Sequence, residues 1–221
     1  MEKINHQDLI CMDEHVESAN IRIELAYALK DNLLFGERIY HEAAKLWLHK
    51  DLGRIVLQAA KMLENQNLRL VLYDGLRTTD AQSLMLKTQR VQDNPHWLEE
   101  PRLLSPPGKG AHPRAMAIDC SLETFDGQLL DMGTAFDFLA EDSAADSNPA
   151  HREYPQLSEH VIYNRSILDT AMSNAATEEG LELLLVPQEW WDFRFLPEIY
   201  NRFEPLSDAD LPQNMRLTAG A

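Results

Sequence analysis

The sequence of 221 residues predicts an α+β fold in which helices flank a mainly antiparallel sheet. Two long segments, 51–64 and 158–177, carry apolar residues at helical spacing. Strand-like segments at 68–73 and 115–122 alternate in side-chain character, and Asp126-Gly127 has the composition of a hairpin turn. No regular strand–helix–strand rhythm follows, so a doubly wound parallel sheet is not expected.

The composition restricts the classes of partner. Twenty basic and 36 acidic residues give a formal net charge of -16, which disfavours binding to nucleic acid or to anionic membrane surfaces. No run of about 18 apolar residues predicts a membrane span, and the polar first eight residues do not resemble a signal peptide. Two cysteines, Cys11 and Cys120, give no disulfide framework. We therefore expect a cytoplasmic protein, with homo-oligomerisation left open.

The first 50 residues give few clear signals. Segment 16–30 mixes apolar and charged side chains without a period, 32–40 is predicted to be a loop, and 40–48 a short helix. No internal repeat or low-complexity linker divides the chain. We expect one domain over residues 1–221, with a loosely ordered tail after about residue 205.

A strand followed by a capped helix places an arginine at a turn. After the helix at 51–64 and the strand at 68–73, Asp74-Gly75 predicts a turn, and Thr78-Thr79-Asp80 supplies N-cap side chains for a further helix. The inward face of that helix is predicted to carry Ala81, Leu84, Met85 and Thr88. Arg77 lies at the mouth of this connection. It is either a surface charge or an anion clamp, which its planar guanidinium suits.

A long loop rich in proline and glycine leads to a histidine and an aspartate. Segment 94–110 has no helical or strand pattern, and loops of this length are often functional. It delivers the chain to His112 and to the strand at 115–122. Along that strand, Asp119 faces opposite Cys120, into space that neighbouring alanines leave open. We expect Cys120 in the core and Asp119 beside room for a metal or a ligand.

The segments that follow alternate between apolar and polar stretches. We expect a short strand at 129–132, an acid between two aromatics in Phe136-Asp137-Phe138, and a polar, mobile excursion at 141–155. The helix at 158–177 then leads into a buried strand at 181–186.

The segment Glu189-Trp190-Trp191-Asp192-Phe193-Arg194-Phe195 places two acids, three residues apart, among four aromatic side chains. Burying carboxylates in apolar surroundings costs free energy unless they bind a metal, pair with a cation or stay protonated. Together with His112 and Asp119, these acids could form a small metal site with a spare general base. The alternative is an aromatic cluster with acids at its rim, and the residues alone leave both interpretations open.

In combination and in this order, the motifs resemble the VanX-type D-alanyl-D-alanine dipeptidases. These are zinc peptidases related to the D,D-carboxypeptidases and to the hedgehog signalling domain, so the resemblance implies their α+β fold. It covers roughly residues 25–196. The matching segments are Asn32 with Phe35-Gly36 and Tyr40, Tyr73-Asp74-Gly75-Leu76-Arg77, His112 with Asp119, Met132-Gly133-Thr134-Ala135-Phe136-Asp137-Phe138, and Glu189-Trp190-Trp191.

The resemblance implies a role for each matching residue. His112 and Asp119 match two zinc ligands, so one zinc ion per chain is expected. Glu189 matches the general base that takes a proton from the metal-bound water. Arg77 matches the residue that stabilises the tetrahedral oxyanion, and Asp137 matches the acid proposed to hold the substrate ammonium.

The sequence departs from the family pattern at two positions. Where the family has Glu-Trp-Trp-His, with the histidine as third ligand, this chain has Asp192. A carboxylate can also bind zinc, so we expect the ligands His112, Asp119 and Asp192, a harder and more anionic set that could favour another divalent metal. Gly110 stands where the family usually has a serine, so a hydrogen bond to substrate is expected to be missing. Three other histidines are alternative ligands, although loop or surface positions explain them more simply: His96, His151 and His160.

We therefore expect a metal-dependent dipeptidase that hydrolyses D-Ala-D-Ala or a close relative by water attack, in recycling or cell-wall precursor turnover. Two alternatives remain. A D,D-carboxypeptidase acting on longer wall peptides would need export and a cleft open at its amino end, which the N-terminus and Asp137 argue against. A non-catalytic descendant that binds a dipeptide or a partner would not need Glu189.

Overall fold

Within residues 1–99 and 103–218, which the computed structural model describes, the chain forms seven β-strands and five α-helices. The strands are β1 (Leu9–Cys11), β2 (Ile21–Ile23), β3 (Trp47–His49), β4 (Leu68–Asp74), β5 (Ala117–Thr124), β6 (Leu183–Leu185) and β7 (Asp192–Phe195). The helices are α1 (Lys50–Glu64), α2 (Thr79–Met85), α3 (Gln89–Gln92), α4 (Glu159–Glu178) and α5 (Pro197–Tyr200).

A five-stranded sheet in the order β2-β4-β5-β7-β6 forms the centre of the fold. Its β4–β5, β5–β7 and β6–β7 pairs are antiparallel, whereas β2 and β4 run parallel. Strands β1 and β3 form a separate antiparallel pair. The predicted α+β class with a mainly antiparallel sheet is confirmed. Among the described residues, no helix has the length and apolar character needed to cross a bilayer.

Both long helices begin where their sequence signals predict. Helix α1 buries its predicted apolar stripe, and the Ser158 hydroxyl accepts a hydrogen bond from the Val161 amide at the start of α4. The two helices pack against each other, α1 also against β4 and α4 also against β6. The apolar periodicity of the sequence therefore predicted the helical layer that covers the sheet.

Several short elements differ from prediction. The helix predicted at 40–48 is wrong, because residues 47 and 48 belong to β3 and the preceding residues are irregular. Segment 129–132 forms only an isolated bridge between Leu129 and Glu123. Strand β6 is shorter than predicted and lies at the sheet edge, where only Leu183 is buried. Leu84 on α2 is exposed, contrary to the predicted inward face.

The chain after Pro205 packs onto the domain, which differs from the predicted loose tail. Its apolar side chains Leu206, Leu211, Met215 and Leu217 are buried. Asp208 is buried as well, and its carboxylate accepts hydrogen bonds from the Leu217 amide at 3.0 Å and the Thr218 amide at 2.9 Å. A single buried carboxylate thus closes this segment, and apolar spacing alone gives no signal for such a contact.

We expect Asp208→Ala to destabilise the protein by about 2–4 kcal/mol, because it leaves two buried backbone N–H groups without an acceptor. The midpoint of urea unfolding should fall while its slope stays unchanged. Asp210→Ala is the matched control: Asp210 caps the same turn through Ser207 but is exposed, so its loss should cost at most about 1 kcal/mol. Equal losses for the two variants would contradict this account.

Candidate active site

Three adjacent strands place three buried carboxylates in one row. Asp74 ends β4, Asp119 lies in β5 and Asp192 begins β7, and the strand register pairs Asp119 with each of the other two. The β4–β5 ladder shifts between Leu72 and Asp74, so β4 carries one extra residue there. Without this bulge Tyr73 would pair with Asp119, and Asp74 would be displaced from the row.

His112 faces this row from a short 3-10 helix, His112–Arg114. Ala115 follows with a left-handed φ of 54°, which turns the chain towards β5. The His112 Nδ1 atom lies 2.8 Å from the Gly75 carbonyl oxygen, and because that oxygen only accepts, Nδ1 carries the hydrogen. Nε2 is therefore the ring nitrogen that faces the carboxylates of Asp119 and Asp192.

The Nε2 atom of His112 lies 3.5 Å from Asp119 Oδ1 and 3.4 Å from Asp192 Oδ2. Two ligand atoms around a tetrahedral zinc ion lie about 3.4 Å apart, given metal–ligand distances near 2.1 Å. Asp119 Oδ1 is buried and accepts no hydrogen bond from the described residues. A buried carboxylate oxygen without a donor is costly, and a bound cation would satisfy it.

Asp74 is also close enough to be considered a ligand. Among the described residues, Asp74, His112 and Asp119 form the one group whose possible ligand atoms all lie within 4.8 Å of one another, and Asp192 is not a member of it. However, Asp74 is 3.4 Å from Nδ1, the nitrogen that is bonded to Gly75. Its oxygens already accept from the Tyr40 hydroxyl at 2.7 Å and from Arg77. Asp192, whose oxygens likewise accept hydrogen bonds, from Arg194, is the carboxylate that faces Nε2, whereas Asp74 lies on the Nδ1 side of the imidazole.

The three alternative histidines lie outside this group. His151 is buried, and its Nδ1 accepts a hydrogen bond from the Glu153 amide at 3.0 Å. His160 contacts Asn164 on α4, and His96 is exposed beside Trp97. In the part of the chain that the structure describes, none of them joins the group that could hold a metal.

Arg194 pairs with Asp192 through two hydrogen bonds. Its Nε donates to Oδ1 at 2.8 Å and its Nη2 donates to Oδ2. Burial raises the pKa of the Asp192 carboxyl, but Arg194 and His112 lower it more, so the net pKa lies well below its ordinary value. The sequence analysis missed this partner, although residues two apart in a strand share a face.

Arg77 lies in the site and is not a surface charge. Its guanidinium Nη2 is 2.8 Å from Asp74 Oδ2 and 3.2 Å from Asp119 Oδ2. The guanidinium carbon lies 5.1 Å from the centre of the Tyr27 ring, within cation–π distance. Its backbone amide donates to the His112 carbonyl at 3.1 Å, which ties the turn after β4 to the histidine.

Glu189 and Asp192 line the same cavity because a turn precedes β7. The Glu189 amide donates to the Val186 carbonyl, and the Asp192 amide donates to the Glu189 carbonyl, each at 3.3 Å. Glu189 is partly exposed, and it faces the cavity. Burial and the neighbouring Asp192 raise its pKa to about 8. A carboxyl group in this range can exchange a proton near neutral pH.

Arg152 holds this turn in place. It donates to the Val186 and Trp190 carbonyls at 2.9 Å each and to the Asp192 carbonyl at 3.2 Å, and it lies over the Phe193 ring. Arg152 belongs to the segment 141–155, which the sequence analysis took for a mobile excursion. That expectation differs from the structure, because buried polar and small residues also fix the segment: Ser143, Asn148, Ala150 and His151.

Asp137 also lines this cavity, in an uncommon backbone conformation. Its φ of 60° is left-handed, a region that non-glycine residues rarely adopt and that is often found at functional sites. The Tyr27 hydroxyl lies 3.1 Å from its Oδ1 and 3.4 Å from Arg77 Nη2. Burial and Asp119 raise the pKa of Asp137 well above its ordinary value. A cationic ligand group would favour its ionised form.

The cavity among these groups has a volume of about 210 Å³. Drug-sized ligands usually occupy pockets of about 300–1,000 Å³, so this one suits a smaller molecule. The predicted site residues that line it are Arg77, His112, Asp119, Asp137, Glu189 and Asp192.

A carboxyl group that exchanges protons, beside a fixed guanidinium and a histidine–carboxylate group, has the chemistry of a hydrolytic site. The family model of the D-Ala-D-Ala dipeptidases, Peptidase_M15, matches residues 7–206. The chain therefore belongs to this family and is a peptidase. The resemblance identified from the sequence motifs is confirmed.

Two curated relatives agree with this assignment. The D-alanyl-D-alanine dipeptidase of Escherichia coli K12 is 30% identical over 179 residues, which cover 81% of this chain and 80% of the relative. The D-alanyl-D-alanine dipeptidase of Enterococcus faecium is 27% identical over 213 residues, covering 91% and 96%. Among solved structures, the Serratia marcescens L-Ala D-Glu endopeptidase ChiX matches 69% of this chain and 84% of its own, with 15% identity and a TM-score of 0.39.

The protonation of His112 should govern metal binding. Burial and Arg77 lower the pKa of His112, but Asp119 and Asp192 raise it more, to about 10. A metal on Nε2 must displace that proton, so zinc affinity should rise about tenfold per pH unit between about pH 7 and 9, with release of about one proton. Calorimetric titration in two buffers of different ionisation enthalpy measures the release. The exposed-histidine control His96→Ala should release the same number, and a heat independent of the buffer would contradict the assignment.

Proposed function

We propose that this protein hydrolyses D-Ala-D-Ala, or a closely related dipeptide, by metal-dependent attack of water. The observation that carries the proposal is the position of His112 Nε2, which faces one oxygen each of Asp119 and Asp192 at the spacing of metal ligands. The substrate class follows from membership of the dipeptidase family and from the names of the two curated relatives.

The chemistry of the donor set suits a divalent metal. His112, Asp119 and Asp192 would hold it, and the unsatisfied Asp119 Oδ1 supports this assignment. Zinc accepts one imidazole and two carboxylates, although the second carboxylate makes the set harder and could also suit another divalent ion. When bound, such a metal lowers the pKa of a coordinated water and polarises a carbonyl group.

The side chains of the cavity divide the remaining tasks. Glu189 accepts a proton from the attacking water and passes it to the leaving amine. Its pKa of about 8 already includes the opposing effects of Arg194 and Arg77, and a metal ion beside it would lower that pKa further and favour the ionised base at neutral pH. Arg77, fixed by Asp74 and Tyr27, would donate to the carbonyl oxygen as negative charge develops there.

Asp137 would bind the ammonium group of the substrate. Its half-buried carboxyl gains a charge partner when an ammonium enters, which offsets the cost of ionising it. The cavity volume of about 210 Å³ supports a dipeptide in preference to the longer wall peptides of a D,D-carboxypeptidase.

The direct test measures bound metal in the purified protein and hydrolysis of D-Ala-D-Ala, with Glu189→Gln as the diagnostic variant. This variant should keep the fold and the metal while turnover falls by about 10²- to 10⁴-fold, the usual contribution of a general base. The exposed carboxylate change Glu182→Gln is the matched control and should keep full activity.

Loss of metal from the Glu189→Gln variant, with turnover restored by excess metal, would make Glu189 a ligand and not the base. Failure of the wild-type protein to hydrolyse any D,D- or L,D-dipeptide with zinc, manganese or cobalt would replace the proposal by a binding-only function.

We expect Arg77→Ala to lower kcat by about a hundred- to a thousandfold with little change in KM, because the guanidinium would act on charge that develops only in the transition state. Steady-state kinetics separate the two parameters, and metal content and urea unfolding establish that the site is intact. Arg54→Ala removes a half-exposed arginine with two acidic partners and serves as the control. An effect on KM alone would make Arg77 a substrate clamp.

A further inference from the structure

Arg194 presents an unused edge to the active-site cavity. A guanidinium carries five N–H donors, and two of them, on Nε and Nη2, point at Asp192. Within residues 1–99 and 103–218, Nη1 donates to no protein group, and Arg194 lines the cavity. The free edge, made of Nη1 and the outer hydrogen of Nη2, has the fork geometry that binds a second carboxylate.

Gly110 leaves the space beside this edge open. A Cβ atom at position 110 would lie 3.9 Å from Arg194 Nη1 and 3.6 Å from the Ser105 hydroxyl oxygen. Gly110 has a φ of 82°, which side chains other than glycine adopt only with strain. Ser105 and Lys109, both exposed, also line the cavity. The cavity around Gly110 is therefore cationic, rich in donors and free of a side chain where an anion would enter.

The charges of the cavity match a dipeptide with two ionised ends. Besides the lining groups that already pair with one another, Asp137 and Glu189 supply carboxylates, and Lys109 and the outer edge of Arg194 supply donors. In a dipeptide, the terminal carboxylate carbon lies only about 4 Å from the carbon of the scissile carbonyl, because three bonds join them. Arg194 can reach a carboxylate at that distance from the site. It donates to Asp192 Oδ2, and this oxygen is 3.4 Å from His112 Nε2.

We propose that Arg194 binds the terminal carboxylate of the dipeptide through its Nη1–Nη2 edge while its other edge holds Asp192. The Ser105 hydroxyl lies beside the bound carboxylate. This inference rests on the proposed dipeptidase function and deepens it. In this role, Arg194 restricts the enzyme to substrates with a free carboxyl terminus. Arg194 also supplies a hydrogen-bond donor to the substrate in place of the serine that Gly110 replaces.

The test compares D-Ala-D-Ala with D-Ala-D-alaninamide in the metal-loaded protein. The wild type should prefer the acid, and Arg194→Gln should lower the ratio of the two kcat/KM values by about 30-fold or more. Any effect of the variant on Asp192 or on the metal acts on both substrates and cancels in the ratio. Arg194→Lys keeps a cation beside Asp192 but loses the two-pronged guanidinium edge, so the ratio of the two kcat/KM values should fall in this variant too. This second variant provides the test if Arg194→Gln does not fold.

Arg54→Gln is the control for charge, because it removes a half-exposed cation that does not line the cavity. The acid preference should survive in this variant. A preference that persists in both Arg194 variants, or that falls as far in Arg54→Gln, overturns the assignment.

A binding measurement separates failure of this inference from failure of the proposed function. Both compounds are titrated into the metal-free protein, with the fluorescence of Trp190 and Trp191 as the signal. If the wild type cleaves neither compound but binds the acid more tightly, and Arg194→Gln removes that difference, the carboxylate clamp holds and the dipeptidase proposal fails. If the wild type cleaves D-Ala-D-Ala and Arg194→Gln changes neither ratio, the clamp fails and the dipeptidase proposal holds.

Discussion

Mutual repulsion among Asp74, Asp119 and Asp192 is the constraint on which the rest of the site depends. These carboxylates stand side by side on adjacent strands, all buried. Such a row is stable only if cations are interleaved with it. Arg77 contacts the first two, Arg194 the third, and His112 faces all three. The turn after β4, the 3-10 helix before β5 and the start of β7 each bring one of these cations to the row.

The Asp192–Arg194 pair changes how the departure from the family pattern should be understood. If Asp192 binds a metal as proposed, it adds a negative charge to the ligand set, which alone would make a bound water less acidic. Arg194 offsets that charge from two residues away on the same face of β7. The net charge of histidine, two aspartates and this arginine equals that of two neutral histidines and one aspartate. The substitution is therefore less disruptive than the ligand alone suggests.

Local patterns predicted the parts of the fold that repeat, and motifs predicted the parts of the site that match a family. Helices α1 and α4 and strands β4 and β5 follow from periodicity. The sequence did not predict the roles of Arg152, Arg194 and Asp208. Each of them bonds to a backbone or side-chain group that only the folded structure brings near. The three-residue strand β2 is too short to show alternation. The role of Asp74 was hidden by the bulge, since an alternating strand gives no sign of an extra residue.

Because of that bulge, the active site depends more on the number of residues in β4 than on their identities. Deleting one residue between Leu68 and Tyr73 would leave the hydrophobic composition of β4 nearly unchanged. The deletion would nevertheless shift the register of β4 by one residue, so that different side chains face Asp119. It would also displace the turn that carries Arg77 relative to β5. When relatives are aligned, a single gap in this strand is therefore a stronger mark of a lost active site than many substitutions within it.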